Sequence, residues 1–225
     1  MTAIFVTATG TDIGKTFVTA GLIRHYRKIG RAVEAIKPVM TGFSDEAPES
    51  SDAAVLLAAL GRPMAMPEIE RIAPWRFKAP LSPDMAARLE GRAIDFDELV
   101  ELSRSAIASR SGVLLIEGIG GVMVPLDDRR TVLDWMSVLR IPVVLVAGTY
   151  VGTLSHTLTA LEVVARRNID ITAVVVNESE QSAASLADTI ATLQQFAGSI
   201  DIVGLPRLAA DIDDHPAFAD LARLL

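Results

Sequence analysis

The sequence predicts an α/β fold: a doubly wound, mostly parallel sheet with helices on both faces. Three continuous aliphatic runs, at residues 113–116, 143–147 and 172–176, have the length of strands that are buried on both faces. Amphipathic stretches of helical length separate them, and this alternation is typical of right-handed strand–helix–strand crossovers. The 225 residues contain no repeat, low-complexity tract or linker, so we expect one domain over residues 1–225.

The remaining elements follow from the same patterns. Two further strands are predicted at residues 4–7 and 32–36. Helices are predicted at residues 15 to about 29, 95–109, 131–139, 153–167 and 182–196, with another helical segment that starts near Asp52. Lys28 and Gly30 mark the end of the first helix, because a cation in the last turn and a glycine just past it are stop signals. Residues 62–83 are interpreted as the longest irregular stretch and as substrate-side surface.

Composition and charge narrow the class of protein. Half of the residues are hydrophobic and only 5% are aromatic, so the core must be mainly aliphatic. Lys plus Arg number 21 against 28 Asp plus Glu, and the net charge of −7 argues against nucleic acid or an anionic membrane as the main partner. The absence of cysteine excludes disulfides, thiolate metal sites and cysteine nucleophiles. No stretch approaches the ~18 apolar residues of a membrane span, and no signal peptide is visible, so we expect a cytoplasmic protein.

The strongest local signal is the loop ATGTDIGKT at residues 8–16, between the first strand and the first helix. The backbone N–H groups of such a loop and the positive end of the helix attract phosphate oxygens. Lys15 is expected to reach the β- and γ-phosphates of a nucleotide, and the Thr16 hydroxyl to ligate Mg²⁺. The strict pattern has glycine where this chain has Thr9, so the loop is a variant. The alternative to a phosphate-binding loop is an ordinary strand–helix turn with a solvated lysine. If the loop does bind a nucleotide, the predicted fold is P-loop NTPase-like.

Several polar residues lie at predicted strand ends or helix starts, where open α/β sheets bind ligands. Glu117 is either a metal ligand or a solvated strand-end residue, and Lys37 is either a second phosphate-directed cation or an ordinary solvated lysine. Asp52 is either a metal ligand or a first-turn acid favoured by the helix dipole. Asn177 either binds a purine edge or caps a turn. His156, like the other two histidines, lacks metal-ligand spacing and is interpreted as a structural or surface residue.

Six short motifs follow one another along the chain: TATGTDIGKT at 7–16, KPVMTG at 37–42, SDA at 51–53, APLSP at 79–83, EGIGG at 117–121 and VN at 176–177. They occur in the order found in the dethiobiotin synthetase family, which this sequence resembles from residue 1 to about residue 213. Two positions depart from the family pattern. Ala8 stands where glycine is usual, and Glu178 stands where aspartate often follows the asparagine, so the effect of Ala8 and the role of Glu178 stay open.

The resemblance implies an ATP- and Mg²⁺-dependent ligase of biotin biosynthesis. An amine of 7,8-diaminononanoate captures CO₂ as a carbamate, ATP phosphorylates a carbamate oxygen, and the second amine closes the cyclic urea of dethiobiotin. ADP and phosphate are released. By the same resemblance Lys15 and Lys37 would be catalytic, and Thr16, Asp52 and Glu117 would hold the metal. Positioning and electrostatics carry such chemistry, and the motifs do not distinguish ATP from CTP.

The resemblance also implies two sets of binding residues. The nucleotide would contact Asp12, Ile13, Gly14, Lys15, Thr16, Phe17, Asp52, Glu117, Gly118, Ile119, Gly120, Asn177, Pro206, Arg207, Leu208 and Asp213. The substrate would contact Thr11 and Thr41, and in a homodimer with the site at the subunit interface it would also contact Gly152, Thr153 and Leu154 of the second subunit.

Three other interpretations share some of these motifs. Partition and septum-positioning ATPases have a variant phosphate loop, but they carry an additional lysine where this chain has Gly10, and no basic amphipathic tail is present here. An amide-forming relative would need a glutaminase domain with a cysteine nucleophile, which this chain lacks. An inactive binding module would not need both lysines, the threonine and both acids. The ligase interpretation is the one that uses all of these residues.

Overall fold

A computed structural model describes residues 2–182, 184–208 and 214–225. The strands and helices are, in chain order, β1 (Ala3–Ala8), α1 (Lys15–Lys28), β2 (Val33–Ile36), β3 (Val39–Thr41), α2 (Asp52–Leu60), α3 (Met66–Ile72), β4 (Trp75–Phe77), α4 (Pro83–Leu89), α5 (Phe96–Ser109), β5 (Val113–Glu117), α6 (Val132–Leu139), β6 (Val143–Ala147), α7 (Thr153–Arg166), β7 (Ile171–Asn177), α8 (Leu186–Phe196), β8 (Asp201–Leu205) and α9 (Pro216–Leu224). A single 3₁₀ turn, Pro48–Ser50, precedes α2.

The main sheet confirms the predicted α/β class. Its six strands are all parallel, in the order β2-β5-β1-β6-β7-β8, and β3 pairs with β4 in a separate two-stranded parallel sheet. Every residue of β1, β5 and β6 is buried. Because successive side chains of a strand point to opposite faces, helices must cover both faces of the sheet. The chain leaves β1 toward one edge of the sheet and leaves β5 toward the other, which is the arrangement that opens a ligand crevice at the strand ends.

Strand β1 leads into the loop at residues 8–16, here called the phosphate loop, and α6 packs against one side of this strand. The ring of Phe5 in β1 meets the buried ring of Trp135 edge-on at 4.7 Å between centroids. The Trp135 indole N–H donates to Ser103 Oγ of α5 at 3.1 Å, so its polar atom is satisfied. Burying one large apolar side chain stabilises a fold by ~1.5–3 kcal/mol. This packing holds β1 in place beneath the loop that follows it.

The first helix ends as predicted. It stops at Lys28, and Gly30 has a φ of 73° with its N–H bonded to Arg27 O at 3.0 Å. Helix α1 lies so close to α9 that a Cβ on Gly21 would come within 2.1 Å of the Phe218 ring. The C-terminal helix therefore covers the helix that carries the phosphate-loop lysine.

Two predicted elements differ from the structure. Residues 62–83 are not irregular: they contain the short helix α3, which buries Ile69 and Ile72, and the short strand β4, which buries Phe77. The helix predicted at residues 182–196 begins only at Leu186, because the Ser185 side chain accepts the Asp188 N–H and so caps the helix there. Among the described ranges, no helix has both the length and the hydrophobicity needed to cross a bilayer.

Candidate active site

A cleft of about 690 Å³ opens beside the start of α1. The phosphate loop forms one wall, and the segments that follow β2, β3, β4 and β5 form the others. Four residues that were predicted from separate motifs line the cleft: Lys15, Thr16, Lys37 and Asp52. The fifth, Glu117, is fully buried behind them and contacts Lys37 and Thr16. Residues Thr11 and Thr41, predicted to contact the substrate, line the same cleft.

The ammonium of Lys15 lies inside the curve of the phosphate loop. It donates to Gly120 O at 2.8 Å and to Gly10 O at 3.2 Å, and the residue is only 7% exposed. Burial, followed by the nearby positive charge of Lys37, lowers the pKa of Lys15 to about 8. The interpretation of Lys15 as a solvated lysine is therefore wrong. The ammonium is held by backbone carbonyls, and Lys15 lines the cleft.

Lys37 bridges the two candidate metal-binding acids. Its Nζ lies 2.7 Å from Glu117 Oε1 and 3.0 Å from Asp52 Oδ2, and it also donates to Gly118 O at 3.2 Å. Both Lys37 and Glu117 are buried, at 2% and 0% exposure, whereas the Asp52 side chain is 49% exposed. The interpretations of Lys37 and Glu117 as solvated residues are therefore wrong. A buried carboxylate at a strand end needs such a partner, since an unpaired charge there would be costly.

The opposite charges of Lys37 and the two acids determine the pKa values of Lys37 and Asp52. Burial alone would lower the pKa of Lys37, but the carboxylates of Glu117 and Asp52 outweigh it and hold the pKa above its ordinary value. Burial raises the pKa of Asp52, but the charge and hydrogen bond of Lys37 outweigh it and bring that pKa below its ordinary value. Lys37 and Asp52 are therefore a cation and an anion over the whole neutral range.

The residues proposed as metal ligands fit Mg²⁺. Thr16 Oγ1 donates to Glu117 Oε1 at 2.6 Å, while the buried Glu117 Oε2 has no hydrogen-bond partner among the described residues. An unsatisfied buried carboxylate oxygen is a group that a cation could satisfy. No cluster of three or more His, Cys, Asp or Glu that could hold a metal occurs in the part of the chain that the structure describes. Two carboxylates and a hydroxyl suit Mg²⁺, which takes its other oxygens from water and phosphates.

Replacing Glu117 by glutamine tests this ligand. Glutamine keeps the size of the side chain and removes the charge, so we expect the Mg²⁺ concentration for half-maximal turnover to rise by at least about tenfold. The measurement is a Mg²⁺ titration of activity at saturating nucleotide. Glu34→Gln, an acid on β2 outside the cleft, is the matched control. A Glu117→Gln titration that overlays that of the wild type would reduce Glu117 to a structural partner of Lys37.

Asn177 braces the phosphate loop from the end of β7. Its Nδ2 donates to Ile13 O at 2.9 Å, passing directly over Gly14. The φ of Gly14 is 95°, a conformation that favours glycine, and a Cβ there would lie 2.3 Å from that nitrogen and so displace the Asn177 amide. The neighbouring Asp12 also has a positive φ, 56°, which aspartate tolerates better than most residues. The bond to Ile13 uses one N–H of the Asn177 amide; binding of a nucleotide base by its other polar groups stays a prediction.

Gly14→Ala should therefore weaken nucleotide binding. The left-handed backbone alone costs roughly 1–2 kcal/mol for a residue with a Cβ, and the collision with Asn177 adds to it. We expect affinity for ADP to fall by at least ~10-fold in titration calorimetry. Gly30→Ala is a matched control, since Gly30 also has a positive φ but a Cβ there would meet nothing within 4 Å. If Gly14→Ala, like Gly30→Ala, bound ADP as tightly as the wild type, the conformation of Gly14 and its contact with Asn177 would not matter for nucleotide binding.

The residues predicted around the base lie where β7 and β8 end. Glu178, whose role was open, accepts the backbone N–H of Arg207 with Oε2 at 3.0 Å and donates its own N–H to Leu205 O at 2.9 Å. It thus ties the segment with Pro206 and Leu208 to the end of β7. Asp213, also predicted there, lies outside the described residues.

Other predicted residues occupy different surroundings. Phe17 packs against Phe218, 6.1 Å between ring centroids. Residues Gly152, Thr153 and Leu154 begin α7 and do not line the large cleft. Ile119 does line it, and so do Ser82 and Pro83, which lie in the stretch predicted as substrate-side surface but were not named individually as site residues. Both belong to the APLSP motif, and that motif was the signal that could have identified them.

Comparison with known proteins places this geometry in a family. A family model described as "AAA domain" matches residues 2–212. An ATP-dependent dethiobiotin synthetase BioD from Phenylobacterium zucineum (strain HLK1) is 46% identical over 221 residues, covering 97% of this chain and 92% of that protein. A protein of the same name from Acidiphilium cryptum (strain JF-5) is 51% identical over 181 residues, covering 80% of this chain and 81% of that protein.

Solved structures agree on the fold alone. The MinC:MinD cell division protein complex of Aquifex aeolicus matches with a TM-score of 0.55 at 12% identity, over 92% of this chain and 82% of that one. The signal recognition particle 54 kDa protein of Aeropyrum pernix K1, in complex with GDP, matches with a TM-score of 0.53 at 15% identity, over 100% of this chain and 46% of that one. Sequence identity over nearly the whole length decides what fold similarity leaves open: the chain belongs to the family of ATP-dependent dethiobiotin synthetases.

Proposed function

We propose that this protein closes the cyclic urea of dethiobiotin from 7,8-diaminononanoate and CO₂, using MgATP to phosphorylate a carbamate. The observation that carries the proposal is the convergence of two buried lysines, two carboxylates and a hydroxyl on one cleft. Relatives 46–51% identical bear the name of this activity. Phosphoryl transfer to a carbamate needs positioned positive charge more than it needs a nucleophilic side chain.

The two lysines would act at different places. Lys15, which bonds the carbonyls of Gly10 in the loop and Gly120 after β5, would lie along the β- and γ-phosphates and offset their charge. Lys37 comes from the end of β2 and bonds the same Glu117 oxygen as Thr16, and it would face the oxygen that joins the carbamate to the γ-phosphoryl group. Charge that develops on these oxygens during transfer would then be stabilised from two directions.

Mg²⁺ would be held by Thr16, Asp52 and Glu117, and when bound it would neutralise phosphate oxygens and orient the γ-phosphoryl group. Lys37 bonds Glu117 Oε1 and Asp52 Oδ2 in the structure, and Glu117 Oε2 has no partner among the described residues. Oε2 would therefore be the Glu117 atom that holds the metal, while Lys37 would stay between the two acids and face the anionic carbamate. Burial of Glu117 keeps water from competing for the same charges.

The substrate would occupy the part of the cleft beyond the phosphates. The Thr11 and Thr41 hydroxyls could donate to its reacting end, since both line the cleft. Its carboxylate would bind at the start of α7 of a second subunit, where Gly152, Thr153 and Leu154 present the positive end of a helix. An apolar hollow of about 440 Å³ beside the phosphate loop and the exposed Met123 support a homodimer at this surface.

The experiment is a reaction of the purified protein with diaminononanoate, bicarbonate and MgATP, analysed by mass spectrometry. Dethiobiotin should form only when all three are present, with one ADP for each product molecule. Replacing ATP by CTP in the same assay decides the nucleotide preference. ATP hydrolysis without dethiobiotin would overturn the proposal and leave a nucleotidase or a switch protein. Size-exclusion chromatography with light scattering tests the homodimer independently.

A further inference from the structure

The turn between β6 and α7 reaches the phosphate loop of the same chain through Tyr150. The phenol oxygen of Tyr150 lies 3.3 Å from Thr9 Oγ1 and 2.9 Å from His156 Nδ1. Three residues with no assigned role are therefore connected, including the Thr9 that replaces the usual glycine of the loop. When Nδ1 of His156 is unprotonated, Tyr150 donates to it and accepts from Thr9.

The turn that carries Tyr150 is held rigidly on the protein. Thr153 Oγ1 donates to Gly148 O at 2.7 Å, and Thr149 and Ser179 exchange two bonds of 3.0 and 2.9 Å between backbone N–H groups and hydroxyls. Gly148 lies directly against the ring: a Cβ there would come within 2.8 Å of Tyr150 Cδ1. The phenol is thus presented to the loop from a fixed support.

The backbone of Thr9 is also in contact with Gly121, in the segment that follows β5. A Cβ on Gly121 would lie 3.0 Å from Thr9 O, so the two backbones are in close contact. Thr9 is followed by Gly10, whose carbonyl accepts the Lys15 ammonium at 3.2 Å. Movement of the first loop residues would therefore move an oxygen that holds the phosphate-binding lysine.

We propose that Tyr150, oriented by His156, is a positioning residue that fixes the start of the phosphate loop by its bond to the Thr9 hydroxyl. The proposal rests on nucleotide binding by the loop, but not on the ligase reaction. Loss of the phenol oxygen should weaken nucleotide binding about 3- to 10-fold, the effect of one neutral hydrogen bond. The value of kcat at saturating ATP should change less than twofold, because Lys15 and Lys37 remain.

The experiment is a double-mutant cycle with ADP affinity measured by titration calorimetry. Tyr150→Phe and Thr9→Val each delete one hydroxyl and keep the shape of the side chain. Each variant should lose about 3- to 10-fold in affinity, and the double variant should be no weaker than the worse single one. Tyr26→Phe is the matched control, because the buried Tyr26 hydroxyl has no hydrogen-bond partner in the described part of the chain. Wild-type affinity of Tyr150→Phe, or losses that simply add, would overturn the proposal.

A spectroscopic measurement keeps the proposal testable if Tyr150→Phe folds poorly. The chain has two tyrosines, so protein labelled with 3-fluorotyrosine should give two ¹⁹F signals. The Tyr150 signal should shift on addition of ADP and in Thr9→Val, whereas the Tyr26 signal should not move. A Tyr150 signal at the same chemical shift in Thr9→Val as in the wild type would contradict the hydrogen bond between Tyr150 and Thr9. Absence of ADP binding to the wild type would instead contradict the proposed function, so the two failures are distinguishable.

Discussion

Replacing Lys37 by glutamine is expected to lower kcat by ~10²–10³-fold, while ATP affinity changes far less. Removing one preorganised donor from a site of developing charge typically costs this much, about 3–4 kcal/mol of transition-state stabilisation. Lys37 lies between Glu117 and Asp52 rather than inside the phosphate loop, so ground-state binding of nucleotide depends on it less than on Lys15. Lys37→Arg should not rescue activity, because a planar guanidinium cannot occupy the place of a compact ammonium between two carboxylates.

The same substitution should also destabilise the metal-free protein. Glu117 is fully buried and would lose its cation, and removing one partner of a buried pair costs up to about 3–5 kcal/mol. Glutamine keeps an N–H donor, so we expect a smaller loss. Mg²⁺ should restore part of it, since the acids would then be free to bind the metal.

Steady-state kinetics with ATP and diaminononanoate varied separately, together with calorimetry and urea unfolding with and without Mg²⁺, measure these effects. Lys78→Gln is the matched control because the Lys78 side chain is 77% exposed and lies outside the cleft. A Lys37→Gln protein with near-normal kcat and only a raised KM for ATP would show that Lys37 merely helps to hold the nucleotide.

Lys15→Ala should abolish most nucleotide binding and turnover without unfolding the protein. A hydrogen bond to a charged group contributes ~1.5–3 kcal/mol, so ATP affinity should fall by roughly 10- to 150-fold, and turnover by more. The free energy of unfolding should change little or increase, since burial already disfavours the Lys15 ammonium and brings its pKa to about 8.

Calorimetric titration with ATP and a urea melt measure the two quantities. Lys28→Ala, which removes a 67% exposed lysine at the other end of α1, is the control. A folded Lys15→Ala protein that bound and turned over ATP like the wild type would remove the phosphate-loop interpretation altogether.

The central part of the fold was predictable because it depends on local pattern. The aliphatic runs of β5, β6 and β7 indicate strands buried on both faces, and the glycine after α1 marks where that helix ends. The edge strand β8 was not predicted, since Asp201–Leu205 contains a glycine and is only partly buried. The β3–β4 pair was missed because strands of three residues carry too little periodicity to be recognised.

The residues of the candidate site could be predicted from the sequence, but the hydrogen bonds and ion pairs between their side chains could not. Parallel strands end at one edge, so Lys37 and Glu117 had to come near the phosphate loop. Which cation neutralises which acid depends on side-chain packing across β2, β5 and α2, and no local pattern in the sequence encodes that packing. The bond between Tyr150 and Thr9 spans 141 residues and follows from how the turn after β6 is folded, so it could not be predicted from the sequence either.

Oxygen transfer from CO₂ to phosphate tests the proposed phosphorylated carbamate most directly. The protein is given ¹⁸O-labelled CO₂, diaminononanoate and MgATP for a time shorter than exchange of CO₂ with water, and the phosphate is analysed by mass spectrometry. If ATP phosphorylates a carbamate oxygen, each phosphate leaves with one oxygen from CO₂ and equals dethiobiotin in amount. Phosphate without the label, formed while the CO₂ is still labelled, would mean that the γ-phosphoryl group goes to water and would contradict the proposed reaction.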